Sequence, residues 1–253
     1  MVRKVQRDKK QTSLDLQPPT ASGPPPETVD KRPIFFHKEW EYFGFMSNYH
    51  PARFTAPDPA TWLPGSMARP PTTASVNTDE GDTTRNIQFL HSEQYYMYCK
   101  AVCFGDQDAA KRILDATSPA DCKEAGRSVQ GFSEEVWSKD DLKVRIMEEA
   151  LWCKFGGREL EESLRQAGEG GNASWMSKEA KLGHLNDLGR RLLATGSRQL
   201  AEAARRDRYW GIGYGERQRP QYYERSWGRN QLGKSLMVIR ERLRRLIEGE
   251  AES

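Results

Sequence analysis

Leucine and isoleucine recur at helical spacing along the last segment of this chain, QLGKSLMVIRERLRRLIE. Leu232, Leu236, Ile239, Leu243 and Leu246 follow one another at steps of four, three, four and three residues. This spacing places the five side chains on one face of an α-helix, with Arg and Glu on the opposite face. We expect the apolar face to dock on the protein's own core, with a partner protein as the alternative cover.

Helix signals continue through most of the chain from residue 92. SEQYYMYCKAVCF begins at Ser92, a suitable N-cap, and ends at Gly105. Further helices are predicted in DQDAAKRILDAT, PADCKEAG, SKDDLKVRIMEEALWCKF, RELEESLRQAG and EAKLGHLNDLGRRLLATG. Two of these have apolar faces, formed by Leu142, Ile146, Ala150 and Cys153 and by Leu182, Leu185 and Leu192. Short strands are predicted near 34–38, 52–55 and 86–90. The predicted fold class is therefore mainly α (α+β), packed helices with a few short β-strands.

Two polar stretches lie outside this predicted core. Residues 1–30 join a basic decapeptide, MVRKVQRDKK, to a segment rich in Pro, Ser and Thr, a composition too polar to build a core. Residues 56–85 contain many Pro, Thr and Asp residues, which indicates a surface insertion. We predict a disordered tail over 1–30 and one domain over 33–248. The decapeptide is a solvated tail, a nuclear signal or an arm that binds nucleic acid.

Composition narrows the class of protein further. The 253 residues are 36% hydrophobic and 30% charged, and no apolar run approaches the ~20 residues that span a membrane. The N-terminus has no apolar signal segment, so we expect a cytoplasmic protein, with the nucleus as the alternative. A formal net charge of +3 is no strong nucleic-acid signal. The four cysteines form no CxxC pair and no ligand spacing with the histidines, so we predict reduced core cysteines and no metal. They are Cys99, Cys103, Cys122 and Cys153.

Glu93 and Lys100 are the first residues that could carry chemistry. They lie seven residues, or two turns, apart and therefore on the same face of one predicted helix. The rest of that helix is aromatic or rich in Cys, so we expect it to be buried, where an unpaired charge is costly. The two residues are either a structural ion pair or part of a functional site.

The segment RDRYWGIGYG, residues 206–215, combines three glycines with an Asp and a Trp. Gly211 and Gly213 remove side chains, so a ligand could approach the backbone closely beside Asp207 and Trp210. No clear strand precedes the segment, and GxGxxG or P-loop spacing is absent from it, so a dinucleotide-binding fold is not supported. An ordinary glycine-rich turn with a packed Trp is the alternative.

An anion site is predicted at the start of the last helix. Asn230 stands where its N-cap belongs, Arg229 precedes it, and Lys234 lies in the first turn. The free N–H groups of a helix N-terminus and a guanidinium group together suit a phosphate. A simple capped helix is the alternative.

In this order, the segments resemble the NADAR family of YbiA-like N-glycosidases. The resemblance rests on the aromatic stretch that ends in GFMSNY and on HSEQYYMYCKA, RDRYWGIG and GRNQLGKSLMVIRERL. LLATGSRQLAEAA and ILDATSPADCKEAGRSVQGF are also similar to family segments. It runs from about residue 35 to 245, with poorly matching stretches near 56–85 and 157–187 that we interpret as surface insertions. One departure is Gln94, which replaces the His that follows the Glu in the family.

The resemblance implies hydrolysis of a ribose C1–N bond without metal or cofactor. Family members act on phosphorylated ribosylamino-pyrimidine intermediates of riboflavin synthesis, or remove ADP-ribose from guanine. The implied partners are therefore a phosphorylated ribosyl or ADP-ribosyl substrate, the latter free or on DNA or RNA, and no membrane. The alternative is a non-catalytic module that binds ADP-ribose or a related nucleotide. The presence of the residues that match the family's catalytic set argues against that alternative.

Matching the family's motifs gives residues of this chain their expected roles. The expected catalytic residues are Glu93, Lys100 and Asp207. The expected substrate-binding residues are Gly44, Asn48, Trp137, Trp210, Gly211, Gly213, Arg229 and Asn230. Glu93 and Asp207 could share the acid–base work as positive charge develops at C1 and the leaving nitrogen takes a proton. A neutral Lys100 could instead capture the ring-opened sugar as a Schiff base.

Overall fold

Helices make up most of the chain that the structure describes. This computed structural model describes residues 31–63, 86–167 and 176–249. Within them the strands are β1 (Ile34–Phe36), β2 (Phe54–Pro57), β3 (Asn86–Phe89) and β4 (Leu200–Glu202). The α-helices are α1 (Ser92–Cys103), α2 (Gln107–Asp115), α3 (Pro119–Arg127), α4 (Glu134–Ser138), α5 (Leu142–Lys154), α6 (Gly157–Ala167), α7 (Lys178–His184), α8 (Asp187–Leu193) and α9 (Gln231–Glu248). The predicted α+β class, packed helices with a few short strands, is confirmed.

The predicted domain limits concern residues that the structure describes only in part. The tail over 1–30 and most of the first insertion, 64–85, lie outside the described residues. In the second predicted insertion, 157–187, the described residues form α6 and α7. Leu160 of α6 and Leu185, which follows α7, are buried in the hydrophobic core.

Helix α1 lies at the centre of the core. All of its residues except Lys100 are buried, and it packs against α2, α3 and α5. Its N-cap is His91 rather than the predicted Ser92, because His91 has an extended backbone and its Nδ1 accepts the Gln94 N–H at 3.1 Å. Gln94 in turn donates its side-chain amide to the carbonyl of Ile113 at 3.0 Å. These buried bonds fix the first turn of α1, which carries Glu93.

Helix α9 docks on the core of this chain, as its apolar spacing predicts. It packs against α5, β4 and α8, and Leu232, Leu236, Ile239 and Leu243 are buried. The last turn differs from the prediction, since Ile247 is buried and Leu246 is only partly buried. A step of four from Leu243 keeps Ile247 closer to the centre of the buried face than a step of three.

Truncation of the buried α9 leucines should destabilise the protein. We expect Leu236→Ala or Leu243→Ala to lower the free energy of unfolding by roughly 2–5 kcal/mol, because each leaves a cavity in the core. Glu241→Ala is the matched control: this partly exposed carboxylate pairs only with Arg244 and Arg245 on the same helix, so it should cost under ~1 kcal/mol. Chemical denaturation measures all three. A larger loss from Glu241→Ala would contradict the assigned faces.

The segment EAKLGHLNDLGRRLLATG forms two helices, not the single one predicted. The break follows Leu185, where Asn186 caps α8 by accepting the Gly189 N–H at 2.8 Å. The same Asn186 donates to the Lys154 carbonyl at 3.0 Å. A Cβ at Gly189 would lie 2.3 Å from the Phe155 carbonyl oxygen, so only glycine allows this approach to the end of α5. A tertiary contact therefore sets the break.

Two small sheets join distant parts of the chain. β2 and β3 pair antiparallel, close to the predicted strand positions. β1 pairs in parallel with β4, with Ile34 opposite Leu200 and Phe36 opposite Glu202. The three-residue strand β4 was not predicted. Because parallel strands end at the same edge, the β1–β4 pair brings His37 and Glu202 together beside the N-terminus of α1.

Candidate functional site

Glu93 and Asp207, predicted to act together, lie near enough for their charges to interact. The Glu93 backbone N–H donates to the Asn48 carbonyl at 3.2 Å, and Glu93 is only 6% exposed. Burial raises the pKa of Glu93 to about 7, and the Asp207 carboxylate acts in the same direction. Lys123 and Arg127, both from α3, oppose this shift. Glu93 can therefore both give and take a proton near neutral pH.

The Asp207–Trp210 turn is held by its own Asp. Asp207 Oδ1 accepts the N–H groups of Tyr209 and Trp210, each at 2.8 Å. The carbonyls of the turn in turn accept N–H groups from the start of α9: Gln231 donates to Tyr209 and Leu232 to Trp210, both at 3.0 Å. The turn and the α9 N-terminus are thus one hydrogen-bonded unit, which fixes the Asp207 carboxylate beside Glu93.

The hydrogen bonds between the turn and α9 use backbone N–H groups that the predicted anion site needed to bind a phosphate. Asn230 stands at the N-cap as predicted, but its side chain does not cap α9. Its Oδ1 accepts the Glu202 N–H at 3.1 Å, and its Nδ2 donates to the Leu200 carbonyl at 2.8 Å. Arg229 is exposed and lies 5.3 Å from the Tyr209 ring centre. Of the predicted anion site, the exposed side chains of Arg229 and Lys234 are left to meet a phosphate.

The glycines that were predicted to let a ligand approach are packed closely against other parts of the protein. A Cβ at Gly211 would lie 2.9 Å from the Glu202 carbonyl oxygen, so Gly211 allows the turn to pack on β4. Gly213 has a φ of +78°, a left-handed conformation that disfavours other residues. A Cβ at Gly44 would lie 2.2 Å from the Lys38 carbonyl oxygen. Their first role is to fold the turns that position the polar residues.

Three aromatic rings line up from α4 to the turn. Trp210 and Tyr96 meet edge to face at 5.5 Å, and Tyr96 and Trp137 at 5.4 Å. Trp137 lies on the short helix α4, which was not predicted, and its Nε1 donates to the Tyr96 hydroxyl at 3.0 Å. Trp137 is buried and Trp210 half-buried. Trp210 is therefore the ring that a ligand can reach, and Trp137 supports it through Tyr96.

Lys100 is not directed at the Glu93 carboxylate. Its Nζ donates to the Gly126 carbonyl at 2.8 Å and lies 3.8 Å from the Phe132 ring centre. Burial lowers the pKa of Lys100, and the carboxylate that opposes this shift is Glu134. The cations that act on Glu93 are those of α3, described above. Partial desolvation favours a neutral Lys100 amine, two turns from Glu93 on α1.

Asn48 presents an unused acceptor beside Glu93. Asn48 is 9% exposed, and its Oδ1 has no hydrogen-bond partner among the described residues. A buried acceptor without a partner is costly, so its use by a bound ligand is expected. Tyr49 follows it and borders a cavity of about 410 Å³ that Leu90 and His91 also line. Burial, then the Glu93 carboxylate, raises the pKa of Tyr49, but neither Glu93 nor Asp207 lines this cavity.

Sequence reasoning missed one carboxyl group of the site, that of Glu202. It lies at the end of β4, and burial, followed by the charges of Asp207 and Glu93, raises its pKa to about 8. The available signal was a Glu within the apolar run LAEAA, five residues before Asp207. The α3 cation Lys123, 5.6 Å from the Tyr49 ring centre, was also missed, and no local pattern marks it.

The described residues form neither a metal-binding cluster nor a membrane-spanning helix. Across 31–63, 86–167 and 176–249, no group of three or more His, Cys, Asp or Glu side chains is placed to hold a metal ion. The four cysteines are buried with free thiols. Among the residues that the structure describes, the helices lack the length and apolar character that a membrane crossing requires.

Enclosed carboxyl groups with raised pKa values, next to an accessible aromatic ring, define a site suited to acid–base hydrolysis. The chain belongs to the NADAR family, since the NADAR domain matches residues 34–244. An N-glycosidase of Acanthamoeba polyphaga mimivirus is 32% identical over 61% of this chain and 74% of its own length. A riboflavin biosynthesis protein of Vibrio vulnificus is 25% identical over 85% of this chain and 40% of its own.

The fold is also similar to a solved structure. The NMR structure of the E. coli protein YbiA covers 88% of this chain, and 90% of YbiA is matched, with a TM-score of 0.50 and 21% sequence identity. At this identity the likeness concerns the fold alone. The predicted YbiA-like fold, the family and the class of N-glycosyl hydrolase are confirmed.

Proposed function

We propose that this protein hydrolyses the C1–N bond of a phosphorylated ribosyl or ADP-ribosyl substrate with Glu93 and Asp207. The observation that carries the proposal is their convergence: Glu93 is buried, its pKa is raised to about 7, and Asp207 contributes to that shift. Cleavage of this bond develops positive charge at C1 and needs mobile protons, which are the demands that such a pair meets.

The two carboxyl groups have different environments and therefore different roles. Asp207 is fixed by the N–H groups of its own turn, and its carboxylate stabilises the positive charge that develops at C1. Glu93 takes a proton from the attacking water. Trp210 supplies the exposed face on which the heterocycle stacks, and Asn48 Oδ1 accepts a hydrogen bond from the sugar. Arg229 meets a phosphate oxygen.

A surface next to the site bears on the choice of substrate. Residues 205–229 contain seven arginines and three acidic residues, a formal net charge of +4, against +3 for the whole chain. All seven arginines are exposed, and none forms a salt bridge with another described residue. Tyr222 and Tyr223 of the same segment are 73% and 51% exposed. Exposed Arg and aromatic side chains suit a single nucleic-acid strand, so we favour ADP-ribosylated guanine in nucleic acid over a free ribosylamino-pyrimidine phosphate.

One incubation tests both the reaction and the substrate. The protein is mixed with a ribosylamino-pyrimidine phosphate and, separately, with an oligonucleotide that carries ADP-ribosylated guanine, and released base and sugar are followed by mass spectrometry. We expect release of ADP-ribose from the oligonucleotide. Release only from the pyrimidine would reverse the substrate choice. Binding of either compound without any release would instead support the non-catalytic module.

The arginine segment can be tested separately from catalysis. Arg217→Gln combined with Arg225→Gln should weaken oligonucleotide binding about tenfold near 0.1 M salt and reduce the salt slope by about 1.4, since each lost phosphate contact removes ~0.7 for a single strand. The control combines Arg165→Gln with Arg245→Gln, which are exposed elsewhere. Fluorescence anisotropy at several salt concentrations measures both pairs. Equal losses from the two pairs would show that only net charge matters.

A further inference from the structure

The backbone of Glu202 is held from three sides. Its N–H donates to Asn230 Oδ1 at 3.1 Å, and its carbonyl accepts the N–H groups of Ala204 and Ile212, both at 2.9 Å. The next residue, Ala203, donates to the Phe36 carbonyl at 2.8 Å. β1, α9 and the Asp207 turn thus converge on this residue, and the position of its carboxyl group is set by the fold.

The Glu202 carboxyl group is enclosed but incompletely bonded. Its side chain is 14% exposed, and Oε1 lies 4.0 Å from His37 Nδ1. Oε2 is buried and forms no hydrogen bond with any residue that the structure describes. A buried oxygen without a partner is costly, so we expect it to be used by a ligand or in the reaction.

Burial and two neighbouring carboxyl groups favour a proton on this group. Burial is the largest cause that raises the pKa of Glu202 to about 8, followed by Asp207 of the turn and Glu93 of α1. Lys123 of α3 opposes the shift. His37, at the end of β1, does not add a stable positive charge, because burial lowers its own pKa. Near neutral pH Glu202 is therefore a carboxylic acid whose O–H lacks an acceptor in the protein.

Direct hydrolysis needs an acid in addition to the base assigned above. The leaving nitrogen and the attacking water lie on opposite faces of C1, so one carboxyl group cannot serve both at the same time. With Glu93 at the water, Asp207 at the developing cation and Lys100 Nζ bonded to the Gly126 carbonyl, the predicted catalytic residues leave the nitrogen without an assigned proton donor.

We propose that Glu202 is a further catalytic residue, the general acid that protonates the leaving nitrogen. The C1–N bond breaks, its electron pair stays on nitrogen, and that nitrogen takes the Glu202 proton. Water forms the new C1–O bond and gives its proton to the Glu93 carboxylate. Proton exchange with solvent then returns one proton to Glu202 and removes one from Glu93, so the net reaction consumes one water. This inference rests on the proposed function.

The test compares two leaving groups in the variant Glu202→Gln. We measure kcat on the N-ribosyl substrate that the wild type cleaves, and on a pyridinium riboside phosphate, whose nitrogen departs without a proton. Loss of the acid should lower kcat on the first by about 10² and on the second by no more than a few-fold. Glu179→Gln, an exposed change on α7 outside the arginine segment, is the control and should leave both rates unchanged.

The pH profile gives a second, independent measurement on the first substrate. Glu93 must be ionised and Glu202 protonated, so wild-type kcat/KM should fall below about pH 7 and again above about pH 8. Glu202→Gln should remove the alkaline fall and keep the acidic one. Glu202→Asp, which keeps an acid, should retain the alkaline fall and recover part of the rate.

Two results would overturn the inference while the proposed function stands. One is a Glu202→Gln variant with near wild-type kcat and an intact alkaline fall. The other is an equal loss on both leaving groups that Glu202→Asp does not recover, which would indicate a structural role. A wild-type protein that cleaves no N-ribosyl substrate would overturn the proposed function, and this inference with it.

Discussion

Glu93→Gln is expected to lower turnover by at least ~10², the usual scale for a lost acid–base group. Gln keeps the size of the side chain and its hydrogen-bonding capacity but cannot take a proton from water. The measurement is kcat on the substrate that the wild type cleaves, in a variant shown by circular dichroism to be folded. Glu224→Gln, on the exposed surface of the arginine segment, is the matched control and should be fully active.

The same variant should differ from the wild type in stability. A carboxyl group whose pKa is higher in the folded protein than in the unfolded chain binds its proton more tightly when folded. The wild type should therefore lose stability as the pH rises from near 4.5 to about 7, and remain less stable above that range. Gln carries no charge, so Glu93→Gln should show a higher Tm than the wild type at pH 8 and little difference at pH 4.

For the activity measurement, a Glu93→Gln rate within a few-fold of wild type would remove Glu93 from the catalytic residues.

Lys100→Arg tests the Schiff-base route, the alternative to direct attack by water: if the imine forms on the sugar, the variant should lose it and most of the activity. Burial lowers the pKa of Lys100, which increases the fraction of neutral amine able to attack a ring-opened C1 aldehyde. To do so, its Nζ must leave the Gly126 carbonyl. Arg keeps the positive charge and the hydrogen bond but cannot form the imine.

Borohydride added during turnover measures the covalent step directly. If the imine forms, peptide mass spectrometry should find one reduced sugar adduct at Lys100 in the wild type and none in Lys100→Arg. Lys111→Arg, an exposed change on α2, should leave trapping and activity intact. An active Lys100→Arg variant without adduct would limit Lys100 to an electrostatic or hydrogen-bonding role and leave direct attack by water as the route.

Features that depend on neighbouring residues were predictable from the sequence. The apolar spacing of α9 gave its buried face from Leu232 to Leu243. Asp106 caps α2 by accepting the Ala109 N–H at 2.9 Å, and Ser118 caps α3 ahead of Pro119; Asp and Ser are common N-cap residues. Such signals are short-range: a cap or an apolar face is set by residues within one or two turns of each other.

The sequence paired Glu93 with Asp207 only through the resemblance to a family, because no local rule joins residues 114 positions apart. Their meeting depends on the β1–β4 pair and on the bonds between the Asp207 turn and α9, all of which are non-local. The same bonds explain why the predicted anion site changed: the N–H groups of Gln231 and Leu232 are used by turn carbonyls. A sequence cannot show that a backbone N–H is already hydrogen-bonded to a distant part of the chain.

The sequence by itself therefore determined most of the helices, the apolar face of α9 from Leu232 to Leu243 and, by resemblance, the family and two of the site's carboxyl groups. Only the tertiary structure decided that Glu202 joins them, that Lys100 rests on the Gly126 carbonyl, and that Asn230 holds β4 rather than α9. The physical reason is the range of the interactions. Helix periodicity and capping act over a few residues, whereas desolvation and charge depend on which distant segments the fold brings within a few ångströms.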